Sequence, residues 1–547
     1  MLLERQETLS CDVLVIGGGG AGLRSAIAAK AENADVLLVS KSGLGRAANT
    51  FISKSVIAAT GWGTPDDTRD VHMTDTVIGG RFLNDQAMVA RMVEQVGAEI
   101  AFLKECGVRF GMEGEKPRVF QIPGHSYPRH VYGENWIGRD LVLPLERRAR
   151  KVGVRVAEHV FVSRFLASGG RVSGATGVTA DGRFLTMQAK TIVLATGGYA
   201  QIFLNTNNAP GIAGDGHALA YDLGVPLKEM EFVQFYPTAM GERGNQLVLY
   251  EKILPQTGVV LRNEAGEDIL RRNGLDPLRV TRDQLAQLVM KEIGDDGRER
   301  NGVFMDLEAL PEEIAGQLAQ ILPSQWWKGR KTFKVAPTAH FCMGGVATDE
   351  HGETCLNGLF VAGEAAAGMH GANRLGGNAL AEVFAMGSRV GGKAAQRARE
   401  IGMSPVPRQA VKEEKSRLED ARSEQGSSPK RLARELKELM WYKAGVIRRE
   451  DDLREALRRF GNLESRIAVA SPADLIRLME FQNMRLVAEM VCRAALERTE
   501  SRGSHFRVDY PEEDNRNWLK NIVLRKGAQG MEIQTTPVRL DRVKPEF

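Results

Sequence analysis

Cysteine is scarce in this chain. Its 547 residues hold five, Cys11, Cys106, Cys342, Cys355 and Cys492, with no CxxC pair among them. Such scatter argues against a thiolate zinc site or an iron–sulfur cluster within the chain, and no metal site is expected. Long apolar runs are missing too: none approaches the roughly 18 to 20 residues that cross a bilayer. The opening MLLERQETLSCDVLVIGGGG lacks the basic, apolar and small-residue order of a secretory leader. Charge of one sign is not in excess, since 73 Lys and Arg stand against 69 Asp and Glu for a net +4. Neither nucleic acid nor an anionic membrane is implied as a partner. No internal repeat or low-complexity tract occurs. These absences predict a cytoplasmic protein with no membrane span of its own.

The composition, 43% hydrophobic and 26% charged, is that of a globular protein, and the length calls for two or three domains. Residues 12–16 (DVLVI) form a short β-branched run that meets Gly17 to Gly22 at once. An Ala-rich helical stretch follows, then a second buried strand at 35–40 (DVLLVS). This is one βαβ unit, and Gly17-x-Gly19-x-x-Gly22 sits at its strand-to-helix turn. Gly17 permits the tight turn, Gly19 the approach of a diphosphate, and Gly22 close packing of the helix. Gly20 and Ala21 begin the helix whose N–H groups face the phosphates. The acidic residue expected about 20 positions on is replaced by Ser40-Lys41. The serine suits a ribose hydroxyl; the lysine weakens a plain NAD reading. Two further strand-to-glycine junctions, at Ala195-Thr196-Gly197 and at Gly363-Glu364, place more close backbone approaches on the same nucleotide domain, as does the glycine turn at Asp215.

The expected organisation is α/β: a Rossmann-like nucleotide domain in two parts (1–228 and 338–402) and an inserted α+β cap (229–337). A Pro, Ser and charge-rich linker (403–429) and a C-terminal helical domain with a polar, irregular tail (430–547) complete it. The helical domain rests on apolar residues at helical spacing, such as Leu432, Leu436, Leu439 and Met440.

The ordered blocks VLVIGGGGAG, LATGGYAQIF, AGDGHALA, TAHFCMGGV, GLFVAGEAAAGMHGANRLGGNAL and ERTESRGSHFRVDYP resemble the flavoprotein subunit of succinate dehydrogenase and fumarate reductase. L-Aspartate oxidase belongs to the same family. The resemblance runs from about residue 10 to 520 and implies a bound FAD, a small carboxylate substrate and hydride exchange between flavin N5 and a substrate carbon. By the same resemblance Arg374 is the substrate-carboxylate clamp, His340 a second carboxylate donor, and Arg282 the proton-delivering arginine. Because a neutral arginine is strongly disfavoured, Glu251 is the expected proton partner. Glu364, Asn378, Ala379 and Leu380 are expected to line the flavin. The bland alternatives are a salt-bridged structural Arg374, a satisfied interior His340 and a solvated helix charge at Arg282.

Three departures stand out. Respiratory members carry a histidine bonded covalently to FAD, where this chain has Asn49-Thr50, so noncovalent FAD is expected. The HPT block reads Tyr236-Pro237-Thr238, and Tyr250 stands where a threonine is usual. An altered pocket of this kind suits a bulkier or less charged substrate. With no cluster cysteines of its own, the chain is expected to exchange electrons with an iron–sulfur subunit, a reading to which Arg502 and Arg507 also contribute. Two rivals remain: an L-aspartate oxidase, and a non-catalytic flavin relay inside a larger redox complex.

Overall fold

The computed structural model describes residues 2–240, 259–277, 279–294, 302–312, 331–463 and 467–546. The first strand spans Arg5–Ile16, starting seven residues before the apolar run. Its polar first half is exposed, and only its second half, from Cys11, enters the core. The glycine turn leads into the helix Gly20–Ala31 and then the strand Val36–Ser40, buried throughout. Burial on both faces is why these strands read as unbroken apolar runs rather than alternating ones.

Arg5–Ile16 pairs in parallel with Val36–Ser40 on one side and Arg183–Leu194 on the other. Arg155–Glu158 extends the sheet beyond Val36–Ser40. The hairpins of Val160–Ser168 and Arg171–Thr179 extend it beyond Arg183–Leu194. Leu359–Val361 also joins Arg183–Leu194, which returns the chain to this sheet after the insertion, as the separated strand-to-glycine junctions predict.

The first helix lies against Asn378–Glu400 through small residues. A Cβ at Gly391 would sit 2.1 Å from the Ser25 carbonyl oxygen, and Ser25 Oγ donates to Gly387 O at 2.9 Å. The two helices can approach this closely only because those positions carry no side chain. That crossing brings Val383 of the second helix to the glycine turn of the first, where a Cβ on Gly20 would lie 2.8 Å from Val383 Cγ1.

Between the two parts, Val233–Met240, Thr332–Cys342, Val303–Asp306 and Val260–Asn263 form an antiparallel sheet in that order. The helix Arg282–Ile293 buries Leu285, Val289 and Ile293 against it, in one core with Tyr236 and Met240. The expected boundary at 337/338 falls inside the strand Thr332–Cys342, which stays paired with Val233–Met240 as far as Cys342 and carries His340 at a break in that register.

Two expectations fail beyond residue 402. The linker segment contains a helix, Arg408–Asp420, which buries only Glu414 and Leu418; one apolar residue per four turns leaves no periodic signal to read. The tail is not irregular: Lys520–Gly527 and Gly530–Pro537 form a hairpin that adds to Leu227–Lys228. Its outer strand is an edge strand, paired on one side only and mostly exposed, so its composition is polar. The helices Pro429–Ala444, Glu450–Asn462 and Pro472–Glu497 share one core, as expected. No helix among the described residues is long and apolar enough to cross a membrane.

Candidate active site

One cavity of about 530 Å³ joins the glycine turn to Arg374 and His340. At its first end the backbone is shaped for an anion. A Cβ on Gly17 would lie 2.1 Å from the Ala195 carbonyl oxygen, and Gly17 has φ +118. A Cβ on Gly22 would lie 1.8 Å from Gly17 O. The helix Gly20–Ala31 has no capping side chain at its Gly19 N-cap and no acidic residue in its first turn. Its amide groups and positive dipole end are therefore available to a diphosphate. Thr50 Oγ1 takes the Gly20 N–H at 3.3 Å. A long cavity with a side-chain-free cradle at one end and cationic groups at the other suits FAD.

Gly17, Gly19, Gly20, Ala21, Ser40, Lys41, Asn49, Thr50, Ala195, Thr196, Gly197, Asp215, Glu364, Ala379 and Leu380 all line this cavity. Two predicted contacts do not. Gly22 lies beneath the turn, where it permits the helix to touch the strand. Asn378 is turned away and buried, donating to Thr76 Oγ1 at 2.9 Å and meeting His72 Nε2 at 2.9 Å; it fastens the NRLGGNAL loop to the helix Arg69–Gly79. Lys41 is engaged by the protein itself: its Nζ donates to Gly211 O, Asp215 and Glu480 at 2.6–2.7 Å. This ties the second strand to the helix Pro472–Glu497, a tertiary contact that no local motif announces.

Tyr236, Arg282, His340 and Arg374 meet at the other end of the cavity. Glu251 lies outside the described residues. Arg374 is 5% exposed and forms no salt bridge among the described residues. Its Nη2 donates to Gln234 Oε1 at 3.0 Å, and its guanidinium stacks on Phe341 at 4.6 Å. Its Nε is buried without a hydrogen-bond partner among the described residues. Burial, and then the nearby charge of Arg282, bring its pKa down to about 9, so it remains a cation at neutral pH.

Arg282, 9% exposed, is the first residue of its helix rather than a solvated charge. Its Nη1 reaches the same Gln234 oxygen at 3.4 Å, and it lies 5.0 Å over the Tyr236 ring. Gln234 Nε2 donates to Asn373 Oδ1 and Arg374 O, each at 2.8 Å, and Asn373 Nδ2 in turn donates to Asp283 Oδ1 at 3.1 Å. Gln234 therefore bridges both arginines with a neutral amide. Sequence reading missed it, because an amide beside FYPT carries no motif of its own.

His340 Nδ1 is held 3.0 Å from the Asn207 amide, and Asn208 Nδ2 donates to its carbonyl at 2.7 Å. Burial first, then Arg374 and Arg282, hold its pKa well below the ordinary histidine range. The imidazole is neutral and acts as a hydrogen-bonding group, with Tyr236 packed edge-on at 5.2 Å. Glu364 accepts from Cys342 N–H and Asn49 Nδ2, each at 3.0 Å, and burial pushes its carboxyl up to about 7. Arg502 and Arg507, by contrast, are buried and paired within the chain, with Glu500, Glu513 and Asp509. They brace the helical domain and carry no argument for a partner.

Fold and site together define a flavin-dependent oxidoreductase. Residues 12–380 match the family described as FAD binding domain, and residues 433–547 match fumarate reductase flavoprotein C-term. The chain is 33% identical over 539 residues to a fumarate reductase (CoM/CoB) subunit of Methanothermobacter marburgensis, covering 95% of this chain and 98% of that one. It is 32% identical over 520 residues to the L-aspartate oxidase of Agrobacterium fabrum, covering 93% of each. The structure resembles an E. coli quinol fumarate reductase FrdA chain with TM-score 0.90, 28% identity and 99% coverage of both chains. This protein belongs to the fumarate reductase and succinate dehydrogenase flavoprotein family, and it binds FAD.

Proposed function

We propose that this chain is the catalytic flavoprotein subunit of a fumarate-reductase-like complex, interconverting an alkene and an alkane carboxylate. One observation carries the reading. A buried guanidinium, which among the described residues has an unpartnered Nε and no hydrogen-bond acceptors but a neutral amide oxygen and a carbonyl, lines the cavity beside a second arginine. Burying cations side by side is costly unless an anion joins them.

Bound FAD supplies the hydride chemistry in such a site. Arg374 would grip one substrate carboxylate with its planar fork. Neutral His340 would give a hydrogen bond, and Tyr236, which carries no charge near neutral pH, would contact the other end of the substrate. That pairing favours a substrate whose second end is bulkier or less charged than a carboxylate. Gln234 would keep Arg282 oriented toward the substrate carbon that gains or loses a proton, with Glu251 as the acid that resupplies it.

The five cysteines offer no CxxC pair, so in this reading electrons cross to another protein, and an iron–sulfur subunit is the expected class. The Methanothermobacter relative is named as one subunit of its enzyme, which supports an assembly. The chain would then work in the cytoplasm, meeting a membrane only through partners. FAD would be held noncovalently: Asn49 offers no nucleophile to the ring, and the one histidine among the described lining residues, His340, is pinned by Asn207. Acid precipitation should therefore release all yellow colour into the supernatant; a yellow pellet would show a covalent bond.

The similarity to an L-aspartate oxidase favours a second reading, in which aspartate reduces the flavin and oxygen reoxidises it. An anaerobic experiment separates them. Chemically reduced enzyme should regain its oxidised spectrum on mixing with fumarate or another unsaturated carboxylate from a panel, and aspartate should leave oxidised enzyme unchanged. Bleaching by aspartate with peroxide formed in air would establish the second reading. Failure of every acid and of aspartate would leave the flavin relay.

A further inference from the structure

Four cations among the described residues line the FAD cavity: Lys41, Lys54, Arg282 and Arg374. Three are held by neighbours, Lys41 by Asp215 and Glu480 and the two arginines by Gln234. Lys54 is different. Among the described residues its ammonium donates no hydrogen bond and forms no ion pair. It is half-buried, and burial alone holds its pKa below the usual lysine value. Partial burial of an ammonium without a counter-charge is unfavourable.

Its position follows from the segment that carries it. At one end, Thr50 Oγ1 takes the Gly20 N–H, at the diphosphate cradle. At the other, Ala58 N–H donates to Gly377 O at 3.2 Å, three residues from Arg374. Lys54 lies between these two anchored points along the chain and lines the cavity. A cofactor with its diphosphate at the glycine turn and its reacting ring near Arg374 must run past it.

We propose that Lys54 is the counter-cation of the reduced flavin ring, raising the two-electron potential of the bound cofactor. The proposal rests on the functional reading only for the direction in which FAD lies. Hydride uptake brings two electrons and one proton, and leaves the ring with one negative charge. The ammonium meets that charge; no proton leaves Lys54 and no bond to it forms. Because the charge exists in one redox state only, the interaction is differential, and differential binding is what shifts an equilibrium. Lys41 cannot do this, since Asp215 and Glu480 already neutralise it.

The test uses the full chain with Lys54→Met, Lys54→Gln and Lys54→Arg. Potentials are measured by equilibration with a reference dye, and apoprotein is titrated separately with oxidised and with reduced FAD. Lys54→Met and Lys54→Gln should weaken reduced FAD at least tenfold more than oxidised FAD, a fall of about 30 mV for a two-electron couple. Lys54→Arg should stay within threefold of the wild type. An unchanged potential in the uncharged variants overturns the proposal. Equal weakening of both redox states also overturns it, since Lys54 is then a diphosphate contact, as does loss of oxidised FAD from both variants. An enzyme indifferent to every carboxylate would defeat the functional reading, yet its potentials would still decide the role of Lys54.

Discussion

Replacing Arg374 by alanine should lower kcat/KM for the carboxylate substrate by roughly a hundredfold to ten-thousandfold while FAD stays bound. Truncating one partner of a fully desolvated, hydrogen-bonded charge pair costs about 3–5 kcal/mol, and each ~1.4 kcal/mol is tenfold. The flavin should remain because its cradle is built from Gly17, Ala21 and Thr50, at the opposite end of the cavity from Arg374. Arg374→Lys keeps a charge but loses the planar fork and the stacking on Phe341, so it should recover only part of the loss. Steady-state kinetics with the flavin-to-protein ratio measured on the same samples checks both statements. Wild-type kcat/KM in Arg374→Ala would remove this residue from substrate binding.

The difference between what could be read from sequence and what could not is physical. The glycine turn was legible because its requirements are local: a φ of +118 at Gly17 and a contact too close for any side chain at Gly22 demand glycine wherever such a turn is built. The buried strands were legible because parallel sheets are apolar on both faces. Gln234 was not, since its importance comes from two arginines brought to it by a helix and a loop far along the chain. Asn378 misled for a related reason. It belongs to the NRLGGNAL block, but the helix that begins at this residue points its side chain toward Thr76 and His72, away from the cavity. The hairpin Lys520–Gly527 with Gly530–Pro537 was hidden by polar composition, because its edge strand pairs on one side only and leaves most of its side chains in solvent. Even the resemblance to a known family, which located Arg374 and His340, could not say that the guanidinium is held by a neutral amide.

The glycine turn offers a second large effect, and two variants divide it into strain and recognition. Gly17→Ala should give an apoprotein that takes up FAD at least a hundredfold more weakly and melts at lower temperature. Its Cβ would collide with the Ala195 carbonyl at 2.1 Å, and the residue would have to adopt φ +118. Strain of that kind costs about 1–3 kcal/mol, and relieving it must disturb the Ala195 N–H bond to Ile16 O at 2.8 Å, which joins the two strands beside the turn. Gly19 is a different case. Its φ is −79, which any residue adopts, and the nearest atom to an added Cβ is Ala48 Cβ at 3.3 Å. The protein alone therefore tolerates a methyl group there with a small adjustment. Gly19→Ala should leave the melting temperature of the apoprotein close to that of the wild type and still lose FAD affinity by tenfold or more, because the methyl group stands where the diphosphate must approach. Calorimetry of the apoprotein alongside FAD titration reads the two quantities separately. Wild-type FAD affinity in Gly19→Ala would mean that the diphosphate does not approach the turn at this residue.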